Sequence, residues 1–376
     1  MFKKLTTVID FGSQSLTALA GKMGKSGLEI VGSAEVEYGG FLDGEFLELE
    51  KLGSAIKQVI VKLEQNIKMS IKEVFIGVPS AFCTIKTKKV TQNFEKKIKI
   101  NNKVIQELYC IGDDFDKFTS HEVISTNIIT CVLDDGEEHK DILNKTSSLI
   151  KAKLAFVLCE YRFLNLVTNL TKLLGVKIKK FILSSLAQTK YLFKNIGDEN
   201  AVFIDVGHIT TSVNYVKHQS IVSMNEFSLG GGFITFDLME KLNLPYDVAD
   251  NLKKKVVLSF TPQTNDIYEV KGKKEIFEIS AISANNIVRD RIIKIVKVIN
   301  KSLQLNSALV QENVHFYLCG GGISYIKGAK DLLSNAISAN VDLLIPDIPQ
   351  IDKPHYTSPI SLLYTACNYQ DLKIHL

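Results

Sequence analysis

A short apolar run closed by an aspartate and a glycine turn, Val8-Ile9-Asp10-Phe11-Gly12-Ser13-Gln14-Ser15, constrains this chain most, because it recurs. The second copy is Ala201-Val202-Phe203-Ile204-Asp205-Val206-Gly207-His208-Ile209-Thr210-Thr211-Ser212-Val213. Each copy reads as a buried strand, a tight polar turn and a return strand. One such turn is common in ordinary hairpins. Two in one chain point to a duplicated domain whose halves face each other across a cleft.

The residue types in these turns suit phosphate. Gly12 and Gly207 permit a close backbone turn, while Ser13 and Ser15 offer hydroxyl and backbone N–H groups to phosphate oxygens. Asp10, at its strand end, suits a metal-bound water. A third element, His315-Phe316-Tyr317-Leu318-Cys319 followed by Gly320-Gly321-Gly322, reads as a strand running into a turn, with a helix expected from near Lys327. Three glycines let a flat adenosine lie against backbone where any Cβ would collide.

The rest of the chain fits an α/β protein. Leu16–Lys22 and Leu28–Tyr38 alternate about the turn at Gly24 and continue an antiparallel meander. Apolar residues recur at helical spacing from Leu49 to Lys68, and Val74–Val78 is a strand closed by Pro79. Between 81 and 160 the texture changes to strands at Thr84–Val90, Glu95–Ile100, Glu122–Leu133 and Leu149–Leu158, with a helix at Lys103–Ile111. The lysines between 86 and 103 alternate with Ile, Val and Phe, so they read as the solvated face of a sheet before they read as a nucleic-acid patch. Helices follow at Tyr161–Leu174 and Ser185–Phe193 around a strand at Val176–Leu183.

The second half repeats the plan: strands at Ala201–Val206, Thr211–Val216 and Ser220–Phe227, then helices at Phe233–Leu242 and Asp247–Lys255. Residues 259–279 are polar and turn-rich, and 280–303 form a long helix. A last helix is expected at Ser358–Cys367.

Charge and cysteine content exclude several classes. Lys+Arg 45 against Asp+Glu 41 leaves a net +4, too small for strong electrostatic binding of nucleic acid. The three arginines, Arg162, Arg289 and Arg291, are too few for a bidentate phosphate-reading surface. The six cysteines stand singly, with no Cys-x-x-Cys, and read as small core residues of a reducing cytosol. The apolar run after Lys3-Lys4 is ended by Asp10, too early for a secretory signal. No stretch approaches the roughly 18 apolar residues needed to cross a bilayer, so a cytoplasmic location is expected.

The ordered set Asp-x-Gly-Ser, Asp-x-Gly with Thr210-Thr211, and strand-Gly-Gly-Gly resembles the phosphate-1, phosphate-2 and adenosine motifs of the actin-like ATPases. Within them the chain is most similar to the bacterial cell-division protein family FtsA, over essentially its whole length. Gly40-Phe41-Leu42-Asp43-Gly44-Glu45-Phe46, Leu229-Gly230-Gly231-Gly232-Phe233-Ile234-Thr235-Phe236-Asp237-Leu238 and Val248-Ala249-Asp250-Asn251-Leu252-Lys253 resemble segments of that family.

The resemblance implies duplicated actin-like (ribonuclease-H-like) domains around a nucleotide cleft, with a small α+β insertion in the first half. It divides the chain into 1–80 with 161–195, an inserted domain at 81–160, 196–244 with 305–376, and a small outlying subdomain at 245–304. It implies ATP with Mg²⁺, the ion held through water by Asp10 and Asp205. Ser13, Gln14, Ser15, Thr210 and Thr211, with the Gly12 and Gly207 turns, would clasp phosphate. Gly230 and Gly231 would follow the second turn. Asp250 and Lys253 would contact the nucleoside, with Gly320, Gly321 and Gly322 beneath the base.

Two departures stand out. His208 and Ile209 occupy positions where most relatives carry further glycines, narrowing backbone access to phosphate. The helix starting Leu183-Ser184-Ser185-Leu186-Ala187-Gln188 lacks the carboxylate that chaperone-type relatives use to position water, so Gln188 is the one weak catalytic candidate and turnover is expected to be slow or undetectable.

The resemblance further implies filaments, binding of the FtsZ C-terminal peptide through 245–304 with Arg289, Arg291 and Lys294 as candidate contacts, other division partners, and a position at the inner face of the membrane at the division site. Membrane attachment in the family uses a C-terminal amphipathic helix. The segment Tyr369–Leu376 is too short to anchor alone, so contact with membrane is expected only indirectly or through a helix missing from this sequence. An adaptor of type IV pilus assembly resembling PilM is the alternative, and a metabolic phosphotransferase on the same fold is a more distant one.

Overall fold

The computed structural model describes residues 5–115, 120–193, 200–310, 314–346, 348 and 353–369; residues 370–376, and with them most of the expected short tail, lie outside them. The chain opens with β1 (Thr6–Phe11), β2 (Ser15–Met23), β3 (Leu28–Glu37), a small hairpin of β4 (Phe41–Leu42) and β5 (Glu45–Phe46), α1 (Leu49–Ile67) and β6 (Glu73–Val78). The inserted portion carries β7 (Cys83–Lys99), α2 (Asn102–Gly112), β8 (His121–Val132), β9 (Glu138–His139) and β10 (Thr146–Glu160). The first half resumes with α3 (Tyr161–Leu173), β11 (Lys177–Leu183) and α4 (Ser184–Leu192). The second half holds β12 (Asn200–Val206), β13 (Thr211–Lys217), β14 (Ser220–Phe227), α5 (Gly232–Leu242), α6 (Tyr246–Lys255), β15 (Ile267–Lys271), β16 (Ile276–Ser280), α7 (Ala281–Leu305), β17 (His315–Cys319), α8 (Ala329–Ile337), β18 (Val341–Leu343) and α9 (Thr357–Cys367).

The two large sheets are copies in order and sense. The first runs β11-β6-β1-β2-β3 and the second β18-β17-β12-β13-β14. In each, a three-stranded antiparallel meander is extended by two parallel strands. The parallel strands follow crossovers through helices, as parallel pairing requires.

Helix boundaries follow local chemistry. α1 buries Leu52, Ala55, Ile56, Val59, Ile60 and Leu63 along one face and ends at Lys68, which takes a left-handed conformation. α2 starts at Asn101, whose side-chain oxygen accepts from the backbone N–H groups of Lys103 and Val104 at 2.9 and 3.1 Å. α4 is buried nearly all round, as a helix between two sheets must be. With α9 it fills a core shared by both halves, where Val8, Leu19 and Phe75 meet Phe203 and Tyr317.

Three expectations change. The strands expected at 84–90 and 95–100 are one strand, β7, because nothing between them breaks extended backbone; the interruption is a bulge where its register with β10 shifts between Ser147 and Leu149. The helix expected near Lys327 starts at Ala329, after Gly328 with φ +89°. The turn-rich 259–279 contains the hairpin β15–β16. Among the described residues no helix is long and apolar enough to cross a membrane.

Candidate functional site

Asp10 is the penultimate residue of β1, paired with Thr17 on β2 and Gly77 on β6. Glycine is needed at 77: a Cβ there would stand 2.3 Å from the Asp10 carboxylate. The carboxylate, 5% exposed, accepts from the hydroxyl of Ser184 at 2.7 Å and from that of Ser358. These serines sit in the first turns of α4 and α9, so two helix N-termini face the acid, where their dipoles favour negative charge. Burial still pushes the Asp10 carboxyl above the usual range, against both serine hydrogen bonds, and the nearby Asp205 adds to the rise.

Asp205 mirrors it. It lies on β12 opposite Ser212 and Cys319, and the glycine that makes room is Gly320, whose Cβ would stand 2.2 Å from the carboxylate. Gln188 donates its side-chain amide to Asp205 at 2.8 Å. Burial raises the Asp205 carboxyl as well. Two carboxylates facing one cavity favour a cation between them, and oxygen donors of this kind suit Mg²⁺.

The loops after the acids are closed alike. The Gly12 N–H donates to Ser15 O at 3.0 Å, and the Gly207 N–H to Thr210 O at 2.8 Å. Across the gap, the Ser13 hydroxyl oxygen accepts from the backbone N–H of Ile209 at 3.0 Å. Gln14 spans to the second half and donates to Tyr246 Oη at 2.8 Å. The Ser15 hydroxyl turns away to donate to Glu35 at 2.6 Å.

A cavity of about 500 Å³ lies between the halves, in the range of small-molecule sites. Asp10, Gly12, Ser13, Gln14, Ser15, Asp205, Gly207, Thr210, Asp250, Lys253, Gly320 and Gly321 line it, and so does Gln188. Thr211, Gly230, Gly231 and Gly322 do not. The Thr211 hydroxyl donates to Leu229 O at 2.8 Å. Gly231 lies so close to Gly322 that a Cβ would stand 2.1 Å from its carbonyl oxygen, and Gly230 packs on Gly207. These glycines build the wall by close backbone approach.

At the end of the cavity where the nucleoside was expected, buried Lys253 is 2.8 Å from Asp250 and donates to Thr235 Oγ1 at 2.9 Å. Asp250 also pairs with Lys254 at 2.6 Å. Burial works against the Asp250 charge, yet the two lysines hold its carboxyl down to about 2. His208 lines the cavity with its ring over Gly232, where a Cβ would stand 2.6 Å from Nε2. Burial, then the Lys253 charge, lowers it to about 4, so the ring is neutral at physiological pH.

Several residues on the cavity wall or behind it carried no signal in the sequence. Ser184 and Ser358 belong to no motif and reach Asp10 through the fold alone. Tyr325 and His355, hydrogen-bonded to each other, stand beside Gly321 where the base was expected. Tyr38 donates to Gly12 O at 2.7 Å and steadies the first turn. The candidate peptide contacts are more engaged than their sequence positions suggested: Arg291 grips Asp237 with two bonds of 2.7 and 2.6 Å, and Arg289 donates to Leu258 O at 3.3 Å.

The sequence model of the family described as cell division protein FtsA matches residues 202–361. A cell division protein FtsA of Staphylococcus epidermidis is 22% identical over 371 residues, covering 97% of this chain and 79% of that protein. Among solved structures, the PilM-PilN type IV pilus biogenesis complex matches with a TM-score of 0.68 at 13% identity, covering 98% of this chain and 100% of that one. MreB5 of Spiroplasma citri bound to AMPPNP matches at 0.54 and 11% identity, covering 97% and 96%. By sequence the chain is similar to cell division protein FtsA, and by fold to the PilM and MreB structures.

Proposed function

We propose that the chain is an ATP-binding, FtsA-like cytoskeletal protein of bacterial cell division, which polymerises and links the FtsZ ring to the membrane or to other division proteins. The observation that carries the nucleotide part is the mirrored pair Asp10 and Asp205 on the walls of one cavity. Thr210 and the Gly12 and Gly207 turns would flank a triphosphate there, and Asp10 and Asp205 would hold Mg²⁺ through water. That ion supplies charge neutralisation between the phosphates. Asp250 and Lys253 meet the nucleoside. An MreB structure of the same fold is described with AMPPNP bound, which supports this reading.

Turnover is slow or absent. Gln188 already donates its amide to Asp205, and an amide is in any case a poor base. The domains in this reading are 1–80 with 161–195, the insertion 81–160, 196–244 with 305–376, and 245–304, the last carrying the FtsZ peptide site. The protein works at the inner face of the membrane at the division site.

The test is titration of a fluorescent ATP analogue with and without Mg²⁺, followed by pull-down on an immobilised FtsZ tail peptide. Micromolar, Mg²⁺-dependent binding and capture support the proposal. Absence of nucleotide binding defeats the first part, and absence of capture the second. A second reading, an adaptor of type IV pilus assembly, is favoured by the PilM-PilN similarity over the full length of both chains; capture by a pilus-assembly peptide in place of the FtsZ tail would select it.

A further inference from the structure

The inserted sheet joins the first half through the start of β7 and the end of β10, and these strand ends meet at two cysteines. Cys83, the first residue of β7, is directly opposite Cys159 in the antiparallel register, so their side chains share a face. Cys159 is fully buried and Cys83 half-buried, and the two thiols are within hydrogen-bonding reach of each other. Directly opposed residues carry Cβ atoms about 4.5–5.5 Å apart, and a disulfide needs about 3.5–4.5 Å. A small movement of two strand ends spans that difference.

The Cys159 thiol also donates to Glu160 O at 3.8 Å, a weak sulfur contact. Among the described residues, the one group of three or more side chains placed to share a metal is Asp135, Glu137 and His139, so no third ligand joins the cysteines as a structural metal site would require. Their place matters. Cys83 follows Ser80, whose hydroxyl is 3.3 Å from that of Ser185, and both serines line the cavity between the halves. Cys159 precedes Glu160, which is paired with Arg162, itself paired with Glu45 of the first half. The whole inserted domain hangs between the two sulfurs.

We propose that Cys83 and Cys159 form a dithiol that closes to a disulfide under oxidation by a hydroperoxide, fastening the neck of the inserted domain. The Cys83 sulfur attacks the peroxide, the O–O bond breaks, an alcohol or water leaves, and Cys83 becomes a sulfenic acid. The Cys159 sulfur then attacks the Cys83 sulfur. The S–S bond forms and the sulfenic hydroxyl departs as water with the Cys159 proton. Two thiols lose two electrons, and the peroxide takes them up. Burial, then the neighbouring Cys159, pushes the Cys83 thiol well above its usual range, so the reaction is slow and belongs to sustained oxidation.

The test uses the full chain with Cys110→Ser, because Cys110 is exposed and reacts first. After native treatment with hydrogen peroxide, free thiols are alkylated in acid and the chain is digested. The expected result is a peptide pair joined through Cys83 and Cys159, lighter by two hydrogens and separated by a thiol reductant. Cys159→Ser, checked for folding by circular dichroism, loses that peptide. Recovery of both cysteines fully alkylated once other thiols are oxidised overturns the proposal. So does the same cross-link appearing equally in urea, because it would then owe nothing to the register. Neither readout depends on nucleotide.

Discussion

The hydroxyl oxygen of Ser13 accepts a hydrogen bond from the backbone N–H of Ile209 at 3.0 Å, although 196 positions separate them in the chain. The two turns expected to clasp phosphate therefore clasp each other. A ligand entering between them must replace this bond with bonds of its own, so the affinity measured for any nucleotide is net of that exchange.

The mirrored acids give the first prediction. Asp10→Asn and Asp205→Asn each remove a negative group from the cavity, and the Mg²⁺-dependent part of ATP-analogue binding is expected to weaken about tenfold or more, ~1.4 kcal/mol. Binding without the ion is expected to be unchanged or slightly stronger. Calorimetric titration with Mg²⁺ and with a chelator separates the two.

His208 gives the second. Burial and the Lys253 charge hold it down to about 4, so it is uncharged across the neutral range and contributes no attraction that protonation would switch. Nucleotide affinity in the wild type and in His208→Ala is expected to change with pH in parallel between about pH 6 and about pH 8. Curves that diverge in that window would show a histidine titrating near its usual value.

Glu226, on β14, gives the third. Burial, with Asp43 nearby, raises its carboxyl to about 7, and its Oε1 is buried without a hydrogen-bond partner. The folded chain holds this proton more tightly than the unfolded chain, where the ordinary value is 4.5. Stability is thus lost as pH rises from the unfolded to the folded value, by on the order of 1–3 kcal/mol. Glu226→Gln is expected to flatten that slope and to be the more stable form at about pH 8. Urea midpoints at the two ends of the window check it.

Gly320 gives the fourth. Its φ of +86° and a Cβ position 2.2 Å from the Asp205 carboxylate and 2.4 Å from Val206 O combine strain with collision. Gly320→Ala is expected to lower stability by about 2–4 kcal/mol. Gly136→Ala is the control, with φ +77° and nothing within 4 Å; backbone strain alone predicts about 1 kcal/mol. Equal losses in the two variants would deny the collision.

The sequence spoke most clearly where its signal was local. The paired Asp-x-Gly turns, the alternation of the two meanders and the apolar stripes of α1 and α7 are all short-range patterns, and the duplicated α/β plan is legible in them; the actin-like fold was implied by the resemblance. It was silent where a contact joins distant segments. Nothing near Ser358 announces that its hydroxyl reaches Asp10, and nothing near Gln14 announces Tyr246. The same holds for Arg291, which looks like an exposed helix residue until Asp237, on another helix, takes its guanidinium. Cys83 and Cys159 stand alone in the sequence, and only the ladder makes them neighbours.

Helix α4 touches Asp10 through Ser184 and Asp205 through Gln188. Four positions in sequence part these two contacts, one turn of helix and about 6 Å of rise. The spacing of the facing acids is thereby gauged by a rigid rod rather than left to the loops around them. Lengthening that rod by a single residue would swing one contact a quarter-turn off its target, and the aperture would lose its calibration while both sheets stayed intact.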